Sequence, residues 1–362
     1  MTAKLVYDGG DDLYIPEEMG VPTPTQMQGT VLERLIELSG RICYDSLSAP
    51  TARGSVEYHK HLLDVKHYSV HEHAHFTLEL DINSQRNLST ELILAGLLSL
   101  FVNMPDVFVR VRYPSMFVTL NLRHILEFSS YPNALVSDDG SFNVELRQEW
   151  EISIGSLLKL RLPLILEDRN NPQLGRLVKI VPPAVPQESF VSMFLRFSRV
   201  ASHEMVRHRG NMSQRSGRYV DESQSEFFDH PLYLQWTGNQ RQTGDVCKNA
   251  LAENAKAVYD GAVRSLQDFA VSKGIDKATA RKQARSAARF YLPHGLATEM
   301  IFTASVTHWR HIFKMRINAA ADAEIRITMA QALGEMKKSR YAKYFEDMTL
   351  VPSPDGLGEV LA

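Results

Sequence analysis

Cysteine is nearly absent: Cys43 and Cys247 are the only two in 362 residues, which excludes a disulfide framework and a four-thiolate metal site. Both thiols are expected to be buried. No apolar run is long enough to cross a bilayer. The longest, Leu92 to Val102, falls short of the roughly 20 residues a spanning helix needs, and no membrane partner is expected. The N-terminal MTAKLVYDGGDDLYIPEEMG is acidic and lacks the basic-then-apolar layout of a signal peptide, so the expected location is cytoplasmic. Neither charge is in excess: 40 Lys+Arg stand against 42 Asp+Glu, a formal net charge of −2. A chain so balanced cannot hold a phosphate polymer mainly by counterion release, so nucleic acid is not an expected partner. There is no internal repeat, no GxGxxG and no P-loop, which removes the common dinucleotide and NTP cradles.

Against that balance, positive charge is concentrated in RHRGNMSQRSGRY, residues 207–219, where Arg207, Arg209, Arg215 and Arg218 accompany His208. Guanidiniums offer planar forks to phosphate oxygens, and Ser213, Ser216 and the Gly217 backbone add short neutral donors. A small anion is one reading; a solvated helical face paired to carboxylates is the other. In HEHAH, residues 71–75, strand geometry would put His71, His73 and His75 on one side and Glu72 on the other. Such spacing suits a metal or hydrogen-bonded structural histidines. Arg289, before YLP, and Arg316, in KMRINAAADAEIR, complete the candidates.

Elements read from periodicity begin with an irregular arm over 1–30 and a helix of apolar spacing (Val31, Leu32, Leu35, Ile36, Leu38) ending before Gly40. EYHKHLLDVKHYSV predicts a second helix and HEHAHFTLELDI a strand. From about 84 to 190 the text changes: an apolar helix at 91–102, a β-rich DVFVRVRYPSMFVTLNL, a turn at SDDGS, then the loops EDRNNPQLG and PPAVP. That block reads as an insertion. Beyond it come SFVSMFLRFSRVASHEMV leading into the basic segment, a long helix ending at Gly274, a helix over KATARKQARSAARFYL, a helical stretch over 302–337, and a frayed tail over 346–362.

In order, GRICYDS, HLLDVKHYSVHEHAHFTLEL, SRVASHEMVRHRGNMSQRSGRYV, ARFYLP and HWRHIFKMRINAAADAEIR resemble the successive signature blocks of the flavin-dependent thymidylate synthases. The resemblance covers roughly 31–81 and 192–335, leaving out the arm and the insertion. It implies an α/β (α+β) subunit, a single domain over 31–345 with a central mixed sheet flanked by helices, assembled as a homotetramer with active sites at subunit interfaces. It also implies that methylene from 5,10-methylenetetrahydrofolate is placed on C5 of dUMP, with FAD delivering hydride and NADPH as reductant. Flavin contacts then fall to His73, Arg207, His208, Arg209, Ser305 and His311, and the metal reading of the histidines drops away. Nucleotide contacts fall to Glu204, Gln214, Ser216, Gly217, Arg218, Arg289 and Arg316. Arg316 and Arg289 would serve as catalytic groups, stabilising charge on the pyrimidine carbonyls.

The chain departs from the family pattern in three places. The spacer between RHR and Ser216 is six residues, GNMSQR, where the family usually has seven. Ser305-Val306-Thr307 stands where relatives carry Asn-x-Arg, and Ala320 where many have histidine. The insertion's Asn121 and Arg123 reproduce an Asn-x-Arg spacing, which is read either as a coincidence of a strand-to-helix junction or as a replacement for the missing donors. Two alternatives stay open: a sibling enzyme acting on dCMP or making a hydroxymethyl product, and a non-catalytic nucleotide- or nucleic-acid-binding relative.

Overall fold

The computed structural model describes residues 1–19, 27–47, 53–81, 107–112, 115–126, 178–232 and 241–361. The chain enters on strand β1 (Thr2–Tyr7), then helices α1 (Val31–Tyr44) and α2 (Ser55–Asp64), a 3-10 turn (Tyr68–His73) and strand β2 (His75–Asp81). The inserted block supplies β3 (Phe108–Arg112), β4 (Ser115–Asn121), the short helix α3 (Leu122–Leu126) and β5 (Val178–Val181). Strand β6 (Phe190–Ser198), helix α4 (Arg199–Met205) and strand β7 (Asn211–Gln214) carry the basic region. Helices α5 (Arg241–Ser272) and α6 (Lys277–Ala288) follow, then β8 (Ala297–Ser305), α7 (Val306–Arg316), α8 (Ala323–Met336) and the strands β9 (Thr349–Val351) and β10 (Glu359–Leu361). No helix among the described residues is long and apolar enough to cross a membrane.

The α/β class holds, while the expected central mixed sheet is, among the described residues, two antiparallel four-stranded sheets ordered β1-β6-β8-β7 and β3-β4-β2-β5, with β9 and β10 as a separate pair. A single helical crossover would make its flanking strands parallel. Here α5 and α6 pack on each other as a hairpin, so the chain returns to the end it left and β8 runs against β7.

The first sheet lies between helices. On one face Val191, Met193, Leu195, Phe197, Met300 and Phe302 pack with Trp309, Ile312 and Phe313 of α7 and Ile325, Met329 and Leu333 of α8. On the other, Phe194 and Ile301 meet Leu35, Leu38 and Ile42 of α1. Burying a side chain of this size contributes about 1.5–3 kcal/mol, which makes this the main source of stability. The second sheet joins it through two imidazoles. His73, in the 3-10 turn, bonds Thr303 of β8 (2.7 Å) and Ser213 of β7 (2.9 Å), and His75 stacks on Phe190 of β6 with ring centroids 3.5 Å apart.

Several sequence expectations change. The arm contains an edge strand, β1, whose Ala3 and Val6 are buried. Helix α1 runs through Gly40, where a Cβ would lie 2.6 Å from the Tyr58 hydroxyl, so glycine serves close packing there instead of ending the helix. Residues 302–337 open on a buried strand end, not a helix. The tail pairs as β9 and β10, and the Val360 amide donates to the Ile317 carbonyl (2.8 Å). Cys43 is partly exposed, with burial still pushing its thiol up to about 11. The helix expected at 91–102, the turn at SDDGS, the loop EDRNNPQLG and the side chain of Cys247 lie outside the described residues.

Candidate functional site

The basic segment is not a helical face. Helix α4, capped by Ser198, ends at Met205, and the chain turns sharply before β7. Gly210 is required at that turn: a Cβ there would stand 2.4 Å from the Phe302 ring and 2.9 Å from the Thr303 carbonyl. After β7, Gln214 donates to Thr298 (3.1 Å), and the Ser216 amide donates to the Cys43 carbonyl (3.0 Å). A Cβ on Gly217 would fall 3.1 Å from an Arg199 nitrogen and 3.2 Å from a Glu222 oxygen, so the turn closes tightly over that pair.

The four arginines divide by their partners. Arg215 is structural, held by Ser225 (3.0 Å), Asp45 (3.2 Å) and the buried Glu222 (3.4 Å). Arg207, Arg209 and Arg218 are exposed, and among the described residues none of the three forms an ion pair. Exposed guanidiniums without an ion-pair partner, Arg207 and Arg209 before β7 and Arg218 after it, are available to anions.

Arg316, at the end of α7, is gripped by the residues flanking this loop. Its Nε donates to His208 Nε2 (2.7 Å), Nη1 pairs with the Glu204 carboxylate, and Nη2 donates to the Glu204 carbonyl (3.1 Å). Burial, reinforced by the Arg316 charge, pushes His208 down to about 4, so its ring is neutral near pH 7 and accepts at Nε2. Burial also raises the Glu204 carboxyl above its usual range, with Arg316 acting against it. A guanidinium has five N–H donors; three are engaged here, leaving two for a ligand.

Beside this network opens a cavity of about 320 Å³. Arg209, Gly210 and Asn211 line one side, Ser305, Thr307, His308 and His311 another, and Val107, Phe108 and Phe190 supply apolar surface. Ser305 caps α7 by accepting from the His308 amide (3.2 Å). The first turn of α7 therefore presents its positive end beside Arg209, a favourable place for an anionic group. The His208 and His311 rings are 6.4 Å apart, which joins the cavity to the Arg316 network.

The structure thus brings together Arg209, Ser305 and His311 at the cavity, and Glu204, His208 and Arg316 beside it. Gln214, Ser216, Gly217 and Arg218 continue along the same segment, with Arg207 exposed at its start. Three expectations are not met at this cavity. His73 is buried with both ring nitrogens engaged, and burial lowers it to about 3, so it joins the two sheets and does not line the cavity. The three histidines of HEHAH do not share one strand face, because the 3-10 turn runs to His73 and the strand starts only at His75. Asn121 and Arg123 also do not reach the cavity. Asn121 is bonded reciprocally to His124 (3.1 and 3.2 Å), and Arg123 pairs with Glu72. The side chain of Arg289, in a 3-10 turn (Arg289–Tyr291), is exposed and makes no hydrogen bond or ion pair among the described residues.

Sequence reasoning missed Glu72, which accepts from Asn211 (3.3 Å) as well as Arg123 and so ties the insertion to the basic segment. It also missed His308, one helical turn before His311 and on the same face.

On an antiparallel α/β scaffold, the cavity thus sets Arg209 beside the N-terminus of α7, an arrangement favourable to an anionic group. Residues 184–339 match the family model of the thymidylate synthase complementing proteins. The flavin-dependent thymidylate synthase of Corynebacterium efficiens is 31% identical over 199 residues, 52% of this chain and 76% of the relative. That of Mycobacterium sp. strain JLS is 31% identical over 192 residues, 52% of this chain and 73% of the relative. A crystal structure of thymidylate synthase X from Helicobacter pylori with FAD and dUMP covers 44% of this chain and 72% of that one, at 15% identity and a TM-score of 0.30. The chain belongs to the flavin-dependent thymidylate synthase family.

Proposed function

We propose that this protein methylates dUMP at C5, taking the one-carbon unit from 5,10-methylenetetrahydrofolate to give dTMP. The observation that carries the reading is the side-by-side arrangement of the Arg209 cavity and the Arg316–Glu204–His208 network on one basic segment. The cavity's chemistry fits a flavin nucleotide. Arg209, His311 and the first turn of α7 suit a pyrophosphate, and Phe108, Phe190 and Val107 suit an aromatic ring. At about 320 Å³ it is at the small end for a ligand site, so it fits part of FAD, with the remainder held by Arg207 and by a neighbouring subunit of a homotetramer. When bound, reduced FAD supplies the hydride that completes the methyl group, and NADPH restores it.

This chain's own residues bind and orient the nucleotide. Arg218, with the Ser216 hydroxyl, the Gly217 amide and Gln214, takes the 5′-phosphate. Arg316 directs its two remaining N–H groups to a pyrimidine carbonyl, where negative charge grows as C5 becomes nucleophilic, and Glu204 and His208 fix its direction. Arg289, exposed beside Phe290 at 86% and Tyr291 at 57% exposure, reaches the nucleotide of a neighbouring subunit. A guanidinium only donates, which suits the C4 carbonyl of uracil and opposes the amine of cytosine. The test is to incubate the enzyme with FAD, NADPH, methylenetetrahydrofolate and either dUMP or dCMP, and to weigh the products. The expected result is a methyl gain on dUMP alone; a hydroxymethyl gain, or reaction only with dCMP, overturns the assignment.

A further inference from the structure

The inserted block reaches the cavity by a route its sequence did not indicate. Val107 and Phe108, at the start of β3, face Arg209 and the α7 N-terminus across the cavity, together with Phe190. Nothing in the matched region supplies these two residues, since the family match begins at residue 184.

Three anchors hold this wall. Two residues past Phe108, Arg110 donates from Nε to Glu188 Oε1 (2.5 Å), and the Glu188 side chain is fully buried and also accepts from the Ala184 amide (2.8 Å). Glu188 adjoins Gln187, itself at the cavity, and the entry to β6. In β4, the strand paired with β3, Phe117 lies under the same guanidinium, 4.0 Å from its ring centroid. Beyond the end of β4, Arg123 pairs with Glu72, which binds Asn211 two residues after Arg209. These contacts tie β3 and the residues after β4 to both the apolar and the cationic sides of one cavity. Phe190 is fixed by its stack on His75, with planes 10° apart, so the aromatic surface it forms with Phe108 is preorganised.

We propose that Phe108 is a ligand-positioning residue contributed by the insertion, forming with Phe190 the wall against which the planar ring of the bound flavin nucleotide packs while its pyrophosphate faces Arg209 and α7. This rests on the flavin reading of the cavity.

The test uses the full chain and equilibrium binding, not turnover. FAD is titrated into wild type, Phe108→Ala, Phe108→Tyr, Glu188→Gln and Val111→Ala, following flavin fluorescence, with thermal melts of each variant. Val111 is an exposed residue of the same strand. Phe108→Ala is expected to weaken FAD at least tenfold, Phe108→Tyr to restore binding to within about threefold, Glu188→Gln to weaken it by a smaller factor, and Val111→Ala to leave it unchanged. Phe108→Ala binding FAD within twofold of wild type, with a normal melt, overturns the proposal while leaving the flavin reading intact. Wild type that binds no FAD overturns both. If Phe108→Ala fails to fold, the folded Phe108→Tyr and Glu188→Gln variants decide: equal affinity in Glu188→Gln and wild type counts against the anchored wall.

Discussion

The β1-β6-β8-β7 sheet is covered by helices on both faces and filled with Phe194, Phe197, Phe302 and Met300. The β3-β4-β2-β5 sheet, three of whose strands come from the insertion, has its own apolar residues in Leu78, Val118 and Leu120. Its links to the first sheet, however, are the stack of His75 on Phe190 and polar bonds made through the turn before β2: His73 to Thr303 and Ser213, and Glu72 to both Asn211 and the insertion's Arg123. Such links contribute about 0.5–1.5 kcal/mol each, against several for each buried aromatic. An insertion joined in this way can reshape a ligand cavity without repacking the core that positions the basic segment.

Breaking the first sheet should have the largest effect. Phe302→Ala opens a cavity in the core and removes the ring packed beneath Gly210, so it is expected to cost about 3–5 kcal/mol of stability in denaturant unfolding and to weaken ligand binding as well. Leu120→Ala in the second sheet is expected to cost nearer about 2 kcal/mol, with a smaller effect on the segment at 207–218. Equal losses would erase the distinction between the sheets.

Arg316→Ala comes next. Removing a donor aimed at developing charge should lower kcat about 10²–10³-fold with a smaller change in dUMP affinity, as read by steady-state kinetics alongside equilibrium binding. A pure affinity loss would make Arg316 a binding residue only.

Acid should loosen the layer around the 3-10 turn. His71 and His73 are buried and held down to about 3, and His59 to about 4. The unfolded chain takes up these protons near pH 6.5, so it binds more protons than the folded one as pH falls from 6.5 toward 3. Stability is then fully present above about pH 6.5 and lost below it, by up to about 1.4 kcal/mol per pH unit for each histidine. Denaturant melts at pH 7, 6 and 5 test this, and His73→Gln should flatten the slope.

Sequence made some of this legible because local rules operated alone. The basic segment, the β-rich stretch that holds β3 and β4, and the helix at 277–288 all carry their signals within a few residues. Strand β8 was hidden, since ATEMIFTAS is buried nearly throughout and runs straight into α7; an apolar run with no alternation does not separate strand from helix. Strand β1 was hidden because its burial follows the edge of a sheet formed 190 residues later, Thr2 facing Arg196. The blocks contain Arg209 and His311, which line the cavity, and Glu204, His208 and Arg316 beside it, but not the insertion's share. The bond of Glu72 to Arg123 spans 51 residues and that to Asn211 spans 139, and no local pattern reports such pairings. Phe108 gave no signal beyond strand propensity.

The central claim is that one basic segment divides two anions, the flavin at Arg209 and the nucleotide at Arg218. Crossed binding measurements on Arg209→Ala and Arg218→Ala test it most directly, titrating FAD and dUMP separately into each by fluorescence and calorimetry. Arg209→Ala is expected to weaken FAD by about 2 kcal/mol and Arg218→Ala to weaken dUMP by about the same amount, each leaving the other ligand within twofold. Comparable loss of both ligands in both variants, or of neither, would contradict the division.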